Sequence, residues 1–214
     1  MQDVSDFEQL RLEILEASLR HVPFDGWTER ALSLGAKDVG ANAAQLAHAF
    51  PRGGRDLFRV YTMEADLKMA AVLEESDIEN MRIRDKITLA VRIRLEQNVE
   101  HREASRRAMA YLLQPAHTGE AAASVWRTID TIWYAIGDRS SDFNFYSKRG
   151  LLAAVYISTF FTWLNDDSKG FTKTWSFLDQ RIADVMKVPK IRGQAEKAFS
   201  HIVAVGRQLL NRGV

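Results

Sequence analysis

Residues 39–50 are Val39-Gly40-Ala41-Asn42-Ala43-Ala44-Gln45-Leu46-Ala47-His48-Ala49-Phe50, and their pattern is that of a turn followed by a short helix. Gly40 marks a turn, and the residues after it predict a short helix that Pro51 ends. A second short helix is predicted over residues 31–38, and an apolar stripe at helical spacing predicts a longer one over residues 5–21. Three such helices with a glycine in the second connection have the layout of a helix-turn-helix.

Longer helices are predicted for the rest of the chain. Residues 55–74 form the first, and Ser76 with Glu79 gives the capping-box pattern that would begin the next, which ends near Gln97. The further predicted helices are 100–113, 118–136, 143–164, 171–187 and 194–212. No alternation typical of strands occurs, and there are only 4 prolines in 214 residues. The predicted fold class is therefore all-α.

Four parts are predicted along the chain. Residues 1–60 form the helix-turn-helix module, and residues 61–187 form a larger helical bundle. Residues 188–193 form a short basic linker that contains proline and glycine, and residues 194–214 form a separate terminal helix.

The net charge of +1 is unevenly distributed. Residues 1–60 carry seven Lys/Arg against nine Asp/Glu, and residues 61–186 carry sixteen against eighteen, so each region has a net charge of −2. Residues 187–214 carry six Lys/Arg against one Glu, which gives +5. A partner selected by negative charge, either anionic lipid or nucleic acid, should therefore meet the terminal segment first.

The predicted terminal helix is amphipathic. Its apolar side chains share one broad arc of a helical wheel, and the opposite side is polar and mainly basic. The residues expected to contact lipid are Phe199, Ile202, Val203, Leu209 and Leu210, with Lys197 and Arg207 on the basic side. Each basic residue near an anionic surface contributes about 1 kcal/mol, so reversible interfacial binding is expected. The alternative is that this helix packs on the bundle as its last member.

No active site is recognisable in the sequence. Cysteine is absent, which excludes disulfides, thiolate catalysis and cysteine-bound metal clusters. Neither a Gly-rich phosphate loop nor a nucleophile elbow occurs. The histidines form no metal-binding pair at helical spacing; they are His21, His48, His101, His117 and His201. We therefore predict no catalytic residue, no metal site, no cofactor and no enzymatic activity.

The first sixty residues resemble the reading head of tetracycline-repressor-type transcription regulators. Gly40, Leu46 and Phe50 match the structural positions of that family. The positions that usually contact DNA are occupied by Gln45, Ala47 and Ala49. Phosphate contacts supply much of the affinity for DNA, and this module has a net negative charge. A retained scaffold is therefore the preferred interpretation, and a DNA-binding regulator is the alternative.

A lipid pocket is expected in the larger bundle. Repressors of this architecture enclose small apolar ligands with the corresponding helices, and these helices are rich in aromatic and branched side chains here. The residues predicted to line the pocket are Trp126, Ile129, Trp133, Leu152, Val155, Tyr156, Phe160, Phe161, Trp175 and Leu178. An ordinary dense core is the alternative role for most of them.

Two motifs carry a more specific resemblance. Residues 137–149 contain the pattern G-D-x-S-x-D-F-N-x-Y-x-x-R, and residues 174–181 contain T-W-x-F-L-x-x-R. Together with residues 21–28, these motifs resemble the Coq-nine family, the lipid-binding accessory proteins of ubiquinone (coenzyme Q) biosynthesis. The resemblance extends over nearly the whole chain. It implies a tetracycline-repressor-like fold that no longer regulates transcription.

The resemblance also implies ligands and partners. Members of the family are similar in binding isoprenoid or phospholipid, in docking on membranes through a terminal amphipathic helix, and in presenting a quinone precursor to the di-iron demethoxyubiquinone hydroxylase. The partner-facing motif corresponds here to Asp142, Phe145, Tyr146 and Arg149, with Phe145 where animal members tend to have Trp. For Asp142 and Phe145 the alternatives are a helix cap and a core position.

The expected assembly is a homodimer without a nucleic-acid partner. The chain begins without a mitochondrial presequence. We therefore expect a bacterial protein that is peripheral on the cytoplasmic side of the inner membrane. A processed eukaryotic form would lie on the matrix face of the mitochondrial inner membrane.

Overall fold

The computed structural model describes the backbone of residues 2–138 and 143–187 and the side chains of residues 6–138 and 146–185. The linker 188–193, the terminal helix 194–214 and Asp142 lie outside these ranges, as does the side chain of Phe145. Within them the chain forms ten α-helices and no strand, which confirms the all-α prediction. The helices are α1 (Gln2–Leu19), α2 (Val22–Asp25), α3 (Glu29–Asp38), α4 (Ala43–Ala49), α5 (Gly54–Glu75), α6 (Ile83–Glu96), α7 (Arg102–Leu112), α8 (Thr118–Ala135), α9 (Phe143–Leu164) and α10 (Thr172–Lys187).

Helices α3 and α4 form the predicted helix-turn-helix. At the start of α3 the Thr28 hydroxyl accepts a hydrogen bond from the Ala31 N–H, and at the start of α4 Asn42 and Gln45 form a reciprocal capping box. Gly40, in the turn between them, has a φ of 72°, which glycine adopts without the steric cost of a side chain. Local hydrogen bonds and one glycine thus define this module.

Helices α1 and α3 cross closely at Gly35. A Cβ atom on Gly35 would lie 2.6 Å from the backbone nitrogen of Ser18 and 2.1 Å from its hydroxyl oxygen. That hydroxyl already donates a hydrogen bond of 2.7 Å to the Ile14 carbonyl. The crossing therefore requires a glycine at this position.

Two apolar clusters stabilise the chain, and α5 contributes to both. The first joins α1–α5 with α7 and contains the buried aromatic residues Trp27, Phe58 and Tyr61. The second joins α5, α6, α8, α9 and α10; its fully buried members include Met69, Leu73, Val91, Ile129, Ile132, Trp163 and Leu178. The predicted boundary at residue 60 falls inside α5, so one continuous helix connects the two modules.

The prediction that Ser76 and Glu79 begin a helix is wrong. The Ser76 hydroxyl donates a 2.6 Å hydrogen bond to the Val72 carbonyl, so it ends α5 and does not cap the next helix. Helix α6 begins instead at Ile83, after Arg82, whose Nε donates a 2.7 Å hydrogen bond to Asp85. The single turn α2 was also not predicted, whereas the bounds of the other described helices agree with the prediction to within a few residues.

A buried ionic network joins α5, α6 and α8 at Asp66. Its carboxylate is 2% exposed and accepts hydrogen bonds from Arg94 Nε at 2.8 Å, the Thr128 hydroxyl at 2.9 Å and Arg127 Nε at 3.3 Å. Burial alone would lower the pKa of the Arg94 guanidinium, whereas Tyr156 and Asp66 raise it above its ordinary value. Arg94 therefore stays charged and depends on Asp66 for its counter-charge.

We predict that Asp66→Ala lowers the free energy of unfolding by about 3–5 kcal/mol, because it leaves Arg94 as an uncompensated buried charge. Glu96→Ala is the control, since it breaks the exposed pair between Arg92 and Glu96 at 3.1 Å. That loss is expected to cost less than about 1 kcal/mol. Urea denaturation measures both values, and equal effects of the two substitutions would contradict the assignment.

The loop between α9 and α10 is fixed by Asp166. Its two carboxylate oxygens accept four hydrogen bonds of 2.6–2.8 Å from the backbone N–H and hydroxyl groups of Ser168 and Thr174. Burial alone would raise the pKa of Asp166, but these hydrogen bonds hold it well below its usual value. The ionised carboxylate therefore stabilises the start of α10.

A pH-dependent contribution to stability follows from the lowered pKa of Asp166. The contribution is fully present above the pKa of an unfolded aspartate, about 3.9, and is lost as the pH falls toward the lower pKa of the folded protein. We predict that Asp166→Asn is less stable than the wild type at pH 7 and that the difference narrows below about pH 4.

Denaturation at a series of pH values measures this difference. The matched control is Asp167→Asn, whose side chain is 94% exposed and whose replacement should change stability by less than about 0.5 kcal/mol. The role of Asp166 would be refuted by a difference between variant and wild type that is as large at pH 3 as at pH 7.

Candidate functional site

An apolar cavity, here called the inner cavity, lies between α5, α6, α7, α8 and α9. The space inside its lining, with the open solvent at its mouth included, is about 580 Å³. Its lining residues are Phe58, Tyr61, Thr62, Arg94, Ser105, Ala108, Met109, Leu112, Ser124, Val125, Thr128, Tyr156, Ile157 and Phe160. Aliphatic and aromatic side chains make up most of this wall, so the cavity suits an apolar ligand.

The polar groups of the inner cavity are largely engaged with each other. The hydroxyls of Tyr61 and Ser105 lie 2.8 Å apart, and Arg94 is bound to Asp66. Burial raises the pKa of Tyr61 and of Tyr156, so both remain neutral phenols at neutral pH. Arg94 and the two tyrosines can donate hydrogen bonds to a ligand oxygen, and none of these three groups is a base at neutral pH.

The buried ion pair of Asp66 and Arg94 was not predicted, although the sequence contains a pattern that indicates it. Arg94 shares the buried face of α6 with Ala90, Val91 and Leu95. Asp66 lies likewise on the buried face of α5. When one helix carries an acidic residue on its apolar face and a second helix carries a basic residue on its own, the two residues are candidates for a buried ion pair.

A second apolar site, here called the outer groove, lies between α6, α8, α9 and α10. Its volume is about 750 Å³ including the space open to solvent. It is lined by Ile83, Arg84, Ile87, Trp133, Lys148, Leu151, Leu152, Val155, Ile182 and Val185. The Lys148 ammonium lies 5.5 Å from a ring centre of Trp133, so a cation covers one aromatic face at this groove.

Five of the ten residues predicted to line a lipid pocket contact one of these two sites. Tyr156 and Phe160 line the inner cavity. Trp133, Leu152 and Val155 line the outer groove. The structure thus distributes these residues over two separate apolar sites.

The other five predicted pocket residues line neither site. Ile129 and Leu178 are fully buried in the second apolar cluster, where they pack the bundle. Trp126 and Phe161 are exposed at 41% and 40%. Trp175 is half-buried, and its indole N–H donates a 2.9 Å hydrogen bond to a backbone carbonyl.

Two of the four residues of the predicted partner surface have described side chains. Tyr146 is 67% exposed, and its ring centre lies 6.2 Å from that of Trp126. Arg149 is buried and contacts Asp130 at 2.7 Å and Asp138 at 3.7 Å, so it fastens α9 to α8 and to the residues that follow α8. Tyr146 and Trp126 therefore form an exposed aromatic surface, while Arg149 is directed inward.

Residues 2–138 and 143–187 contain neither a membrane-spanning helix nor a group of metal-binding side chains. No helix there is both long enough and apolar enough to cross a bilayer. Over the same residues, no three acidic or histidine side chains are grouped so that they could hold a metal ion. The inner cavity and the outer groove are two candidate binding sites for an apolar ligand.

The fold is similar to that of a bacterial transcription regulator. The crystal structure of the TetR transcriptional regulator from Nitrosomonas europaea matches with a TM-score of 0.65 at 19% sequence identity. The match covers 82% of this chain and 97% of that chain. This likeness confirms the predicted tetracycline-repressor-like fold and shows the fold alone.

Sequence similarity identifies the family. Residues 118–189 match the family model described as COQ9. The human protein "Ubiquinone biosynthesis protein COQ9, mitochondrial" is 31% identical over 209 residues, which cover 94% of this chain and 65% of the human one. The rat protein of the same name is 32% identical, with 94% and 67% covered. The Drosophila melanogaster protein is 32% identical, with 96% and 66% covered.

These alignments extend far beyond the motifs in residues 137–149 and 174–181. The chain spans about two thirds of the length of the curated relatives that it matches. The chain is similar to these proteins over nearly its full length, and the two motifs predicted the same family. The chain therefore belongs to the COQ9 family.

Proposed function

We propose that this chain acts in ubiquinone biosynthesis as a non-catalytic accessory protein. It binds an isoprenoid lipid or a phospholipid, docks on a membrane surface and presents a quinone precursor to the di-iron demethoxyubiquinone hydroxylase. The pathway is supported by the names of the relatives, which include "ubiquinone biosynthesis protein" and "mitochondrial". The expected membrane is the bacterial inner membrane or, for a mitochondrial form, its matrix face.

The inner cavity is the single observation that carries the lipid-binding role. Met109, Leu112, Val125 and Phe160 bring apolar side chains to it from three different helices. Burying one methylene stabilises a complex by about 0.8 kcal/mol, so one isoprene unit contributes at most about 4 kcal/mol. Association and ordering offset part of this gain, and a few isoprene units are therefore enough for binding near the micromolar range.

A presenting role is consistent with the chemistry of the cavity wall. Tyr61 and Tyr156 are neutral and Arg94 is charged at neutral pH, so these groups can orient an oxygen-bearing ligand by donating hydrogen bonds. None of them is suited to remove a proton from it. The proposal therefore assigns the chemical step to the partner enzyme.

Membrane docking is proposed from the sequence of residues 194–214. Residues 187–214 have a net charge of +5, which attracts an anionic surface, and the apolar side of the predicted terminal helix would enter the boundary of the acyl chains. Such docking would bring the inner cavity to the bilayer in which an isoprenoid ligand dissolves.

A protein partner is proposed to contact the surface around Tyr146. Tyr146 and Trp126 are both exposed and lie side by side on α9 and α8. Exposed aromatic side chains are frequent among the residues that contribute most to protein–protein binding. Asp142 and Phe145 remain predicted members of this surface. The homodimer expected from the sequence likewise remains a prediction.

A DNA-binding regulator is the second candidate function, because α3 and α4 keep the helix-turn-helix layout. Two polar side chains near this reading head are engaged within the protein. The Gln45 side-chain oxygen accepts a 2.9 Å hydrogen bond from the Asn42 N–H, and Arg52 binds Asp56 at 2.8 Å. A salt-sensitive footprint on a specific duplex, lost on changing Arg52 and Gln45, would favour this candidate.

The lipid-binding role predicts that the purified protein carries isoprenoid or phospholipid, which organic extraction and mass spectrometry would identify. Val125→Trp fills the inner cavity and should lower the bound lipid by roughly tenfold or more, because steric overlap with one side chain costs about 1–3 kcal/mol. Ala122→Trp is the matched control, since it places the same side chain at an exposed position of α8.

Circular dichroism of both variants shows whether the helical fold is intact. With the fold intact, the proposal requires less lipid in Val125→Trp and unchanged lipid in Ala122→Trp. Wild-type protein without any lipid, or equal lipid in the two variants, would contradict it.

A further inference from the structure

Four arginines surround a pocket next to the inner cavity, here called the arginine pocket. It lies between the N-terminal half of α5 and the first turns of α8, and its volume is about 880 Å³ including the space open to solvent. The four are Arg52, Arg55, Arg59 and Arg127, and Glu120 is the one carboxylate among the described lining residues. The lining therefore has an excess of positive charge.

Two of the four arginines are already paired with a carboxylate behind the pocket wall. Arg52 binds Asp56 at 2.8 Å, and the Asp56 side chain is only 5% exposed. Arg127 contacts the buried Asp66 at 3.3 Å. These pairs fix the positions of two guanidinium groups. Asp56 offsets the charge of Arg52, whereas Asp66 shares its single negative charge between Arg127 and Arg94.

The other two arginines add to the excess positive charge. Arg55 interacts with the hydroxyl of Tyr111, which donates a 3.2 Å hydrogen bond to Glu120. Arg59 is exposed and is close enough to Asp56 to help lower the pKa of that carboxyl. Within the described side chains, neither Arg55 nor Arg59 has a carboxylate oxygen within 4.0 Å. Their guanidinium groups are available to an anion from solution.

Phe58, Thr62 and Ser124 line both the arginine pocket and the inner cavity, so they form the wall between the two spaces, here called the junction. Arg127 lies at this junction, because its Nη2 donates hydrogen bonds to the hydroxyls of Thr62 at 2.6 Å and Ser124 at 3.5 Å. On one side of the junction the wall is cationic, and on the other side it is mainly apolar.

We propose that the two spaces form one site for an amphiphile with an anionic head. The phosphate or carboxylate head binds Arg55 and Arg59 in the arginine pocket, and the apolar tail enters the inner cavity past the junction. This inference rests on the proposed lipid-binding function and specifies the head-group class of the ligand.

The chemistry of guanidinium selects this class. Arginine presents parallel N–H donors that match two oxygens of a phosphate or carboxylate, and such charge-assisted hydrogen bonds are about twice as strong as neutral ones. An uncharged head would leave Arg55 and Arg59 facing water without a gain in binding. A free anion would gain the head contacts but none of the burial in the inner cavity.

Isothermal titration calorimetry of the full, delipidated chain with three probes tests the proposal: farnesyl monophosphate, farnesol and inorganic phosphate. Hydrogen bonds to a charged group distinguish two ligands by roughly 10- to 150-fold, so farnesyl monophosphate should bind at least about tenfold more tightly than farnesol. The advantage should shrink as the salt concentration rises. Inorganic phosphate alone should bind more weakly than farnesyl monophosphate.

Variants separate the two ends of the site. Arg55→Ala/Arg59→Ala should bring farnesyl monophosphate down to the affinity of farnesol, and Arg59→Lys should keep part of the advantage because it retains the charge. Arg20→Ala removes an exposed arginine outside the pocket and should change nothing. Val125→Trp should weaken both farnesyl probes and leave inorganic phosphate unaffected. Thermal melts identify any variant that fails to fold, and Arg59→Lys is the milder substitute in that case.

Three results would overturn the inference. If farnesol and farnesyl monophosphate bind equally and the double variant changes neither, the anionic head is refuted while lipid binding stands. If inorganic phosphate binds as tightly as farnesyl monophosphate, the pocket is a site for free anions. If neither farnesyl probe binds, the proposed isoprenoid-binding function fails together with the inference.

Discussion

The carboxylate of Asp66 accepts hydrogen bonds from Arg94 on α6 and from Arg127 and Thr128 on α8, while Asp66 itself belongs to α5. Both members of the Asp66–Arg94 pair are nearly excluded from water, at 2% and 5% exposure. A buried charge without its partner is strongly destabilising, so these three helices keep fixed positions relative to one another. The inner cavity is the space enclosed between them and α7 and α9.

The same carboxylate also distributes charge between the inner cavity and the arginine pocket. It binds both Arg94 in the wall of the inner cavity and Arg127 at the junction and so offsets part of their combined charge, whereas Arg55 and Arg59 keep their full charge at the outer end. A molecule that approaches from the arginine pocket meets positive charge first and apolar surface afterwards. This order suits a molecule with an anionic head and an apolar tail, and the proposed transfer of lipid from a membrane would use it.

The fold could be predicted from the sequence because its signals are local. Gly40, Pro51 and the helical spacing of apolar residues each act within a few positions of the chain, and most helix bounds followed from them. The start of α6 could not be predicted from Ser76, because the same hydroxyl can end one helix or cap the next. Only the hydrogen bond to Val72 in the folded chain distinguishes the two roles.

The cavity lining was predicted only in part, because residue type and spacing show that a face is apolar and do not show what it meets. Ile129 and Tyr156 both lie on apolar helix faces, yet Ile129 packs against neighbouring helices and Tyr156 borders open space. The ionic network depends on contacts between distant positions. Asp66 and Arg94 are 28 residues apart, and their pairing follows from the packing of α5 against α6.

We propose the inner cavity, formed where Asp66 joins three helices, as the lipid-binding site. Hydrogen–deuterium exchange of the full chain, with and without vesicles that contain an isoprenoid, tests this assignment. Lipid binding in the inner cavity should slow amide exchange in α7 and α8, whose residues Met109, Val125 and Thr128 line the cavity, and leave exchange in α3 and α4 unchanged. Protection confined to α3 and α4, with α7 and α8 unaffected, would refute this assignment.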